Sequence, residues 1–159
     1  MTDRDHSPPA PAGPVTVDQV PPAVTHPLRA HVLRAGAPPE RARLAIDDLP
    51  DTAAFAARTA GGEVVGTAIV TPEPCPWLPE RGAWRLRGMA TAEAWRGAGV
   101  GARVLAAVVD HVRARGGALV WCNARVPARR FYERAGFAVH GDEWDDPEIG
   151  PHVAMWRTV

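Results

Sequence analysis

The 159-residue sequence predicts a mixed α/β (α+β) domain, with a central sheet of six to seven strands flanked by about four helices. Three observations carry that expectation. Short apolar runs, alternating or continuous and bounded by glycine and proline, recur at both ends of the chain and read as strands. Between them the apolar period changes to about four residues, the mark of an amphipathic helix. The elements then follow in the order β-α-(α)-β-β-β-α-β-α-β-β without internal repeat, mixing antiparallel-looking strands with a buried, parallel-looking one.

Residues 1–14 (MTDRDHSPPAPAGP) are proline-rich and polar and read as a disordered tail, leaving one domain over 15–159. VTVDQV at 15–20 alternates like a short strand, which Pro21-Pro22 ends. Thr25 is placed to cap a helix through Leu28, Val32 and Leu33 that stops at Gly36. The stretch 37–52 predicts a short helix and a loop. Residues 53–70 read as two strands turning at Gly61-Gly62, and TPEPCPWLPERG at 71–82 as a loop. AWRLRGMAT at 83–91 is a strand in which Gly88 marks a bulge. From there Val100, Val104, Val108 and Val112 recur every fourth residue with Leu105 and Val109 beside them, while Arg103, Asp110 and Arg113 fall elsewhere. That helix ends at Gly116-Gly117. ALVWCN at 118–123 is a continuous apolar run suited to a buried strand. VPARRFYERAGF at 126–137 is a second helix, with Pro127 in its first turn and Gly136 at its end. FAVHGDEW and HVAMWRTV close the chain as strands.

Composition excludes several classes. Eighteen basic and eighteen acidic residues cancel, so no global field recruits nucleic acid or an anionic membrane. All the basic residues are arginine, which removes Schiff-base chemistry and the lysine of a Walker-type phosphate loop. The arginine, alanine and proline bias fits a GC-rich bacterial gene. Cys75 and Cys122 form no CxxC motif, as expected in a reducing cytosol. No apolar run reaches the roughly 18 residues a membrane span needs, and the first residues lack a signal peptide's apolar core. The expected location is cytoplasmic. The six histidines show no HxxxH or comparable ligand spacing, so no metal site is expected.

AWRGAGVGARVL at 94–105 carries the chemistry. A strand, a glycine-rich turn and a helix start make an anion site: free amides point outward, the helix dipole favours negative charge, and glycine removes the Cβ from the approach. Gly97, Gly99 and Ala102 formally satisfy a dinucleotide fingerprint, G-x-G-x-x-G/A. That motif needs an acid about 20 residues on, at the next strand's end, and here the strand ends VWCN. The missing acid weakens the dinucleotide reading without removing it, and a plain glycine-rich helix entry with no ligand is a further alternative. Taken with Arg96, residues 96–101 read R-x-x-G-x-G. This resembles the pyrophosphate loop of the GNAT (GCN5-related N-acetyltransferase) family, and the strand before it resembles the one that pairs with the pantetheine arm of acetyl-CoA. A second motif agrees: Ala128, Phe131, Tyr132, Glu133, Gly136 and Phe137 match A-x-x-F-Y-E-x-x-G-F. The likeness covers 15–159 and is strongest over 84–137.

The resemblance implies a GNAT fold, acetyl-CoA as the acyl donor, and an N-acetyltransferase. It maps pantetheine contacts to Met89, Ala90 and Thr91, and pyrophosphate contacts to Arg96, Gly97, Ala98, Gly99, Val100 and Gly101. Relatives often place a coenzyme-binding asparagine seven residues before the tyrosine. That position is Arg125 here, with Asn123 two residues earlier, and either is a candidate. Tyr132, the chain's one tyrosine, is a candidate general acid, since a phenol of pKa about 10 stays a proton donor at neutral pH. Spacing alone assigns Phe131 and Ala135 to the core. Arg125, Arg129, Arg130 and Arg134 read as a solvated helix face or as a clamp on the coenzyme's 3′-phosphate.

The C-terminal segment resembles that of ElaA-type members, in which a Pro-His pair precedes the last strand. His152 is then a candidate base, with an acid in 142–148 or water as alternatives. The strand 84–91 offers no carboxylate for that task. The acidic run would suit a cationic acceptor, although such loops are commonly only solvated. Cys122 reads as a small buried apolar residue. The expected partners are a small-molecule or peptide amine, with no nucleic acid or membrane, and the chain is expected to be a monomer or homodimer. A catalytically idle acyl-CoA-binding module shares the same loop.

Overall fold

The structure, a computed structural model, describes residues 13–79 and 82–159. Most of the proposed tail, residues 1–12, lies outside the described residues. Among the described residues the strands are β1 (Val15–Val20), β2 (Ala53–Thr59), β3 (Val64–Pro72), β4 (Ala83–Thr91), β5 (Leu119–Arg125), β6 (Ala138–Asp146) and β7 (Gly150–Thr158). The α-helices are α1 (His26–Leu33), α2 (Val100–Ala114) and α3 (Arg129–Arg134). One seven-stranded sheet runs in the order β1-β2-β3-β4-β5-β7-β6. Every neighbouring pair is antiparallel except β4 and β5.

The helix expected from Val100 forms because its periodic apolar residues meet one sheet face. Val100, Val104, Leu105, Val108, Val109 and Val112 are all buried, and all of them but Val109 pack in the main core with Phe55, Leu86 and Val120. Each such side chain removed from water contributes about 1.5–3 kcal/mol. The hairpin turn, the α2 stop and the bulge also stand where the sequence places them. At the bulge Thr67 pairs with Ala90 and Ile69 with Arg87, so Gly88 and Met89 share the place opposite Ala68.

Three local expectations are corrected. Thr25 does not cap α1; its hydroxyl donates to the Pro22 carbonyl at 2.6 Å, and a 3₁₀ turn runs straight into the helix. Residues 71–72 continue β3 rather than opening the loop. The stretch 37–52 holds no α-helix but two 3₁₀ turns, Pro39–Ala42 and Ala45–Asp48. Long-range contacts shape that stretch. Arg29 of α1 is 2% exposed and gives Nη2 to the Ala42 carbonyl at 2.6 Å and Nη1 to the Thr25 hydroxyl at 3.2 Å. The buried Asp47 carboxylate lies 3.4 Å from Arg29 and 2.9 Å from His26 Nε2, and it accepts the Leu44 amide at 3.0 Å. A buried arginine needs every partner it can reach, and the segment folds around supplying them.

The feature that positions the site is the short pairing of β4 with β5. Only Ala83, Trp84 and Arg85 pair with Leu119, Val120 and Trp121. Beyond them β5 pairs with β7 alone, from Cys122 opposite Met155 to Arg125 opposite His152. The end of β4, from Leu86 to Thr91, therefore presents unpaired backbone to the opening between the strands.

Candidate active site

Two cavities flank that opening. One, of about 670 Å³, is lined by Thr91, Arg96, Gly97, Gly99, Val100 and Gly101, together with Phe131, Arg134 and other residues of α2 and α3. The other, of about 410 Å³, is lined among others by Met89, Asn123, Arg125, Tyr132 and His152. Met89 lines the smaller cavity and Thr91 the larger, and Tyr132 and Phe131 divide in the same manner.

The glycine loop keeps its amides free. Gly97 and Gly99 lie in the left-handed region, at φ 78° and 82°, which the absence of Cβ permits. Gly99 stands at the N-cap of α2, and the first bond of that helix runs from Arg103 N to its carbonyl. Among the described residues, the amides of Gly97, Gly99, Val100, Gly101 and Ala102 have no backbone acceptor. Ala98 is the exception to the sequence assignment: its amide donates to the Trp95 carbonyl at 3.3 Å. Gly101 sits in close approach: a Cβ there would lie 3.1 Å from Phe131 Cε2 and 3.4 Å from Thr91 Oγ1, so a side chain would need Phe131 to shift. Three unpaired helix amides and a positive dipole end, with arginines at the rim, fit an anion of pyrophosphate size.

Tyr132 is 5% exposed, between the rings of Phe131 at 5.1 Å and Phe137 at 5.4 Å. Burial, with Cys122 beside it as the lesser cause, pushes its phenol well above the ordinary value. Among the described residues its hydroxyl has no hydrogen-bond partner. The core expectation for this helix is corrected: Tyr132 occupies the buried position, while Phe131 and Ala135 are half-buried and line the larger cavity. Cys122, 2% exposed, is pushed up to about 12 by burial and stays a thiol at neutral pH.

His152 lies on β7 opposite both Arg125 and Trp144, and is 6% exposed. Its Nδ1 is 2.8 Å from the Gly150 carbonyl. A carbonyl oxygen only accepts, so Nδ1 carries the proton and the neutral ring keeps its lone pair on Nε2. The Trp144 ring lies beside it, centroid to centroid 5.8 Å and inclined by 28°. Of the acidic alternatives only Asp146 lines this cavity, and its Oδ1 already accepts the amides of Glu148 and Ile149.

Of the two asparagine substitutes, Arg125 gives Nη2 to the Leu33 carbonyl at 3.0 Å, tying β5 to the end of α1, while the Asn123 side chain is exposed. The expected arginine clamp is dispersed. Arg125 lines the smaller cavity, Arg129 pairs with Glu133 at 2.8 Å, and Arg134 alone of the four lines the larger one. Arg113 and Arg157 join Arg134 there, brought by α2 and β7. Sequence reading missed Arg85 and Arg87 in the smaller cavity, although their spacing of two in WRLRG assigns them to one face of β4.

A parallel pair that parts beside a glycine-rich helix start, with a buried tyrosine lining the smaller cavity, is the arrangement that the resemblance to acetyltransferases implies. Residues 25–137 match the Acetyltransferase (GNAT) family, and the chain belongs to that family. It is 35% identical over 98 residues to the uncharacterized N-acetyltransferase YitI of Bacillus subtilis, a match covering 62% of this chain and 66% of that protein, just under two thirds of its length. A Lactobacillus plantarum structure of proposed N-acetyltransferase activity superposes with a TM-score of 0.74 at 21% identity, covering 91% of this chain and 97% of the other. An aminoglycoside 6′-N-acetyltransferase complexed with coenzyme A superposes at 0.67 and 18% identity, over 90% and 96%. At such identities the structures establish the fold. No described helix is long and apolar enough to cross a membrane, and no metal-binding group of His, Cys, Asp or Glu occurs among the described residues.

Proposed function

We propose that the protein transfers an acetyl group from acetyl-CoA to a primary amine, by direct attack while both are bound. The observation that carries this reading is the pair of cavities beside the end of β4 that β5 leaves unpaired, one rich in free amides and arginine, the other holding Tyr132 and His152. The coenzyme-bound relative of the same fold supports the choice of donor. Residues 15–159 act as one domain in this reading.

The loop from Arg96 to Gly101 holds the pyrophosphate through the amides of Gly97, Gly99, Val100 and Gly101, with Arg96 and Arg134 supplying charge. The free backbone of Met89, Ala90 and Thr91 pairs with the pantetheine arm, and Asn123 stands beside it. On the far side of β4, His152 accepts the proton of the incoming amine at Nε2. An amide of the strand near Ala90 polarises the thioester carbonyl and stabilises the charge that develops on its oxygen. The C–N bond forms, the C–S bond breaks, and Tyr132 gives its proton to the leaving sulfur. The raised phenol keeps that proton available across the neutral range. The Cys122 thiol takes no covalent part.

Calorimetric titration with acetyl-CoA, with NADH in parallel, tests the reading. Micromolar binding of acetyl-CoA alone, followed by free-thiol release with an amine, is the expected result. Binding without release from any amine points to the idle module, and absence of acetyl-CoA binding overturns the proposal.

A further inference from the structure

The smaller cavity, taken above as the seat of the amine, is lined by Arg29, Arg34, Arg85, Arg87 and Arg125 against one lining carboxylate, Asp146. Their states differ. The guanidinium of Arg29 is consumed by Ala42, Thr25 and Asp47, and Arg125 reaches Leu33. Arg85 pairs with Glu73 at 3.0 Å and lies over the Trp121 ring at 4.7 Å, with its Nε buried and without a hydrogen-bond partner. Arg87, half-buried two residues along the same strand, has no hydrogen bond or ion pair among the described residues. After Glu73 and Asp47 are set against Arg85 and Arg29, and Asp146 against one more, positive charge remains. The Arg87 guanidinium is committed to no other group and its nitrogens stay open to the cavity, and a planar oxygen anion matches its fork in two-pronged fashion.

We infer that the acceptor is an anionic amine, carrying a carboxylate or phosphate group that pairs with Arg87 while its nitrogen approaches His152. The inference rests on the proposed acetyl transfer and deepens it by naming the substrate class. It reverses the cationic acceptor that the acidic run at 142–148 would suit. That run is mostly solvent-facing on β6, whereas the cavity wall is arginine. A polyamine or aminoglycoside entering this cavity would meet a net like charge, with Asp146 as the one lining carboxylate to offset it.

The test uses the full chain, acetyl-CoA and matched amines. Glycine and β-alanine are set against glycinamide and β-alaninamide for the carboxylate arm, phosphoethanolamine against ethanolamine for the phosphate arm, and spermidine serves as the cationic probe. Turnover is read by thiol release. Binding is read by thermal shift with coenzyme A present, so an acid of suitable charge but poor shape still registers. At least tenfold higher kcat/KM, or a thermal shift confined to the anionic twin, is expected in one arm. Arg87→Gln should remove that preference chiefly through KM, leaving acetyl-CoA affinity and melting temperature near those of the parent. Arg87→Glu should turn the preference toward spermidine. Neutral or cationic amines preferred by the parent chain, or an anionic preference that survives in Arg87→Gln, overturns the inference while acetyl-CoA binding leaves the activity standing. Loss of acetyl-CoA binding in the parent chain overturns both.

Discussion

Gly99 offers the sharpest test of the phosphate loop, because two nearly identical substitutions separate charge from shape. Its φ of 82° costs an ordinary L-residue about 1–2 kcal/mol, and Asn, after glycine, adopts this conformation most readily. Nothing lies within 4 Å of an added Cβ, so neither Asn nor Asp meets a clash at that atom. The two variants share shape and strain and differ by one charge beside the amides of Val100 and Gly101. A like charge about 4 Å from a phosphate oxygen costs about 1 kcal/mol in water and about 4 kcal/mol at a protein surface. Gly99→Asp should therefore bind acetyl-CoA more weakly than Gly99→Asn by about fivefold to several hundredfold. Without ligand the order of stability reverses, since a carboxylate at a helix N-terminus contributes about 0.3–1 kcal/mol. Titration calorimetry at low and high salt, with a melting curve for each free variant, measures both effects, and salt should narrow both. Equal affinities for the Asp and Asn variants at low salt would refute a phosphate at this loop.

Other expectations follow from the same structure. Tyr132→Phe should lower kcat by about a hundredfold or more with acetyl-CoA affinity unchanged, the usual scale for a positioned acid; a rate close to the parent removes the phenol from the mechanism. Because that phenol is raised by burial, its titration should cause no loss of rate up to pH 10. Arg29→Leu leaves the buried Asp47 carboxylate with only His26 and the Leu44 amide and should cost about 3–5 kcal/mol in urea unfolding, the scale for breaking a buried pair; a loss under 1 kcal/mol would show the network to be dispensable. His111 is held below its ordinary 6.5, by burial first and Arg115 second. The unfolded chain then takes up protons that the native state resists, so stability is full above pH 6.5 and falls as the pH drops toward the lowered native value. His111→Gln should flatten that slope, and an unchanged slope would shift the cause to another group.

Much of the architecture was legible because it is local. A change from strand-like runs to a four-residue apolar period marks α2, and glycine marks the places where backbone must turn or bulge. The loop at 96–101 and the Tyr132 helix were readable for the same reason: each is a contiguous string whose spacing alone brings its groups together. Where contacts cross the chain, the sequence was silent. The segment 37–52 takes its 3₁₀ path from the demands of Arg29, a residue outside it. Spacing on α3 assigned Phe131 to the core, yet packing against Phe137 and the main core turned Tyr132 inward. The arginines dividing between the two cavities come from α1, β4, β5, α2, α3 and β7 and from the turns beside them. Composition counts their charge but cannot say which cancel. Only folding brings Arg85 to Glu73 and Arg29 to Asp47, and leaves Arg87 without a partner among the described residues. The sequence by itself determined most of the elements and the glycine loop; tertiary structure decided the charge of the smaller cavity, because that charge is a difference between distant residues rather than a property of any stretch.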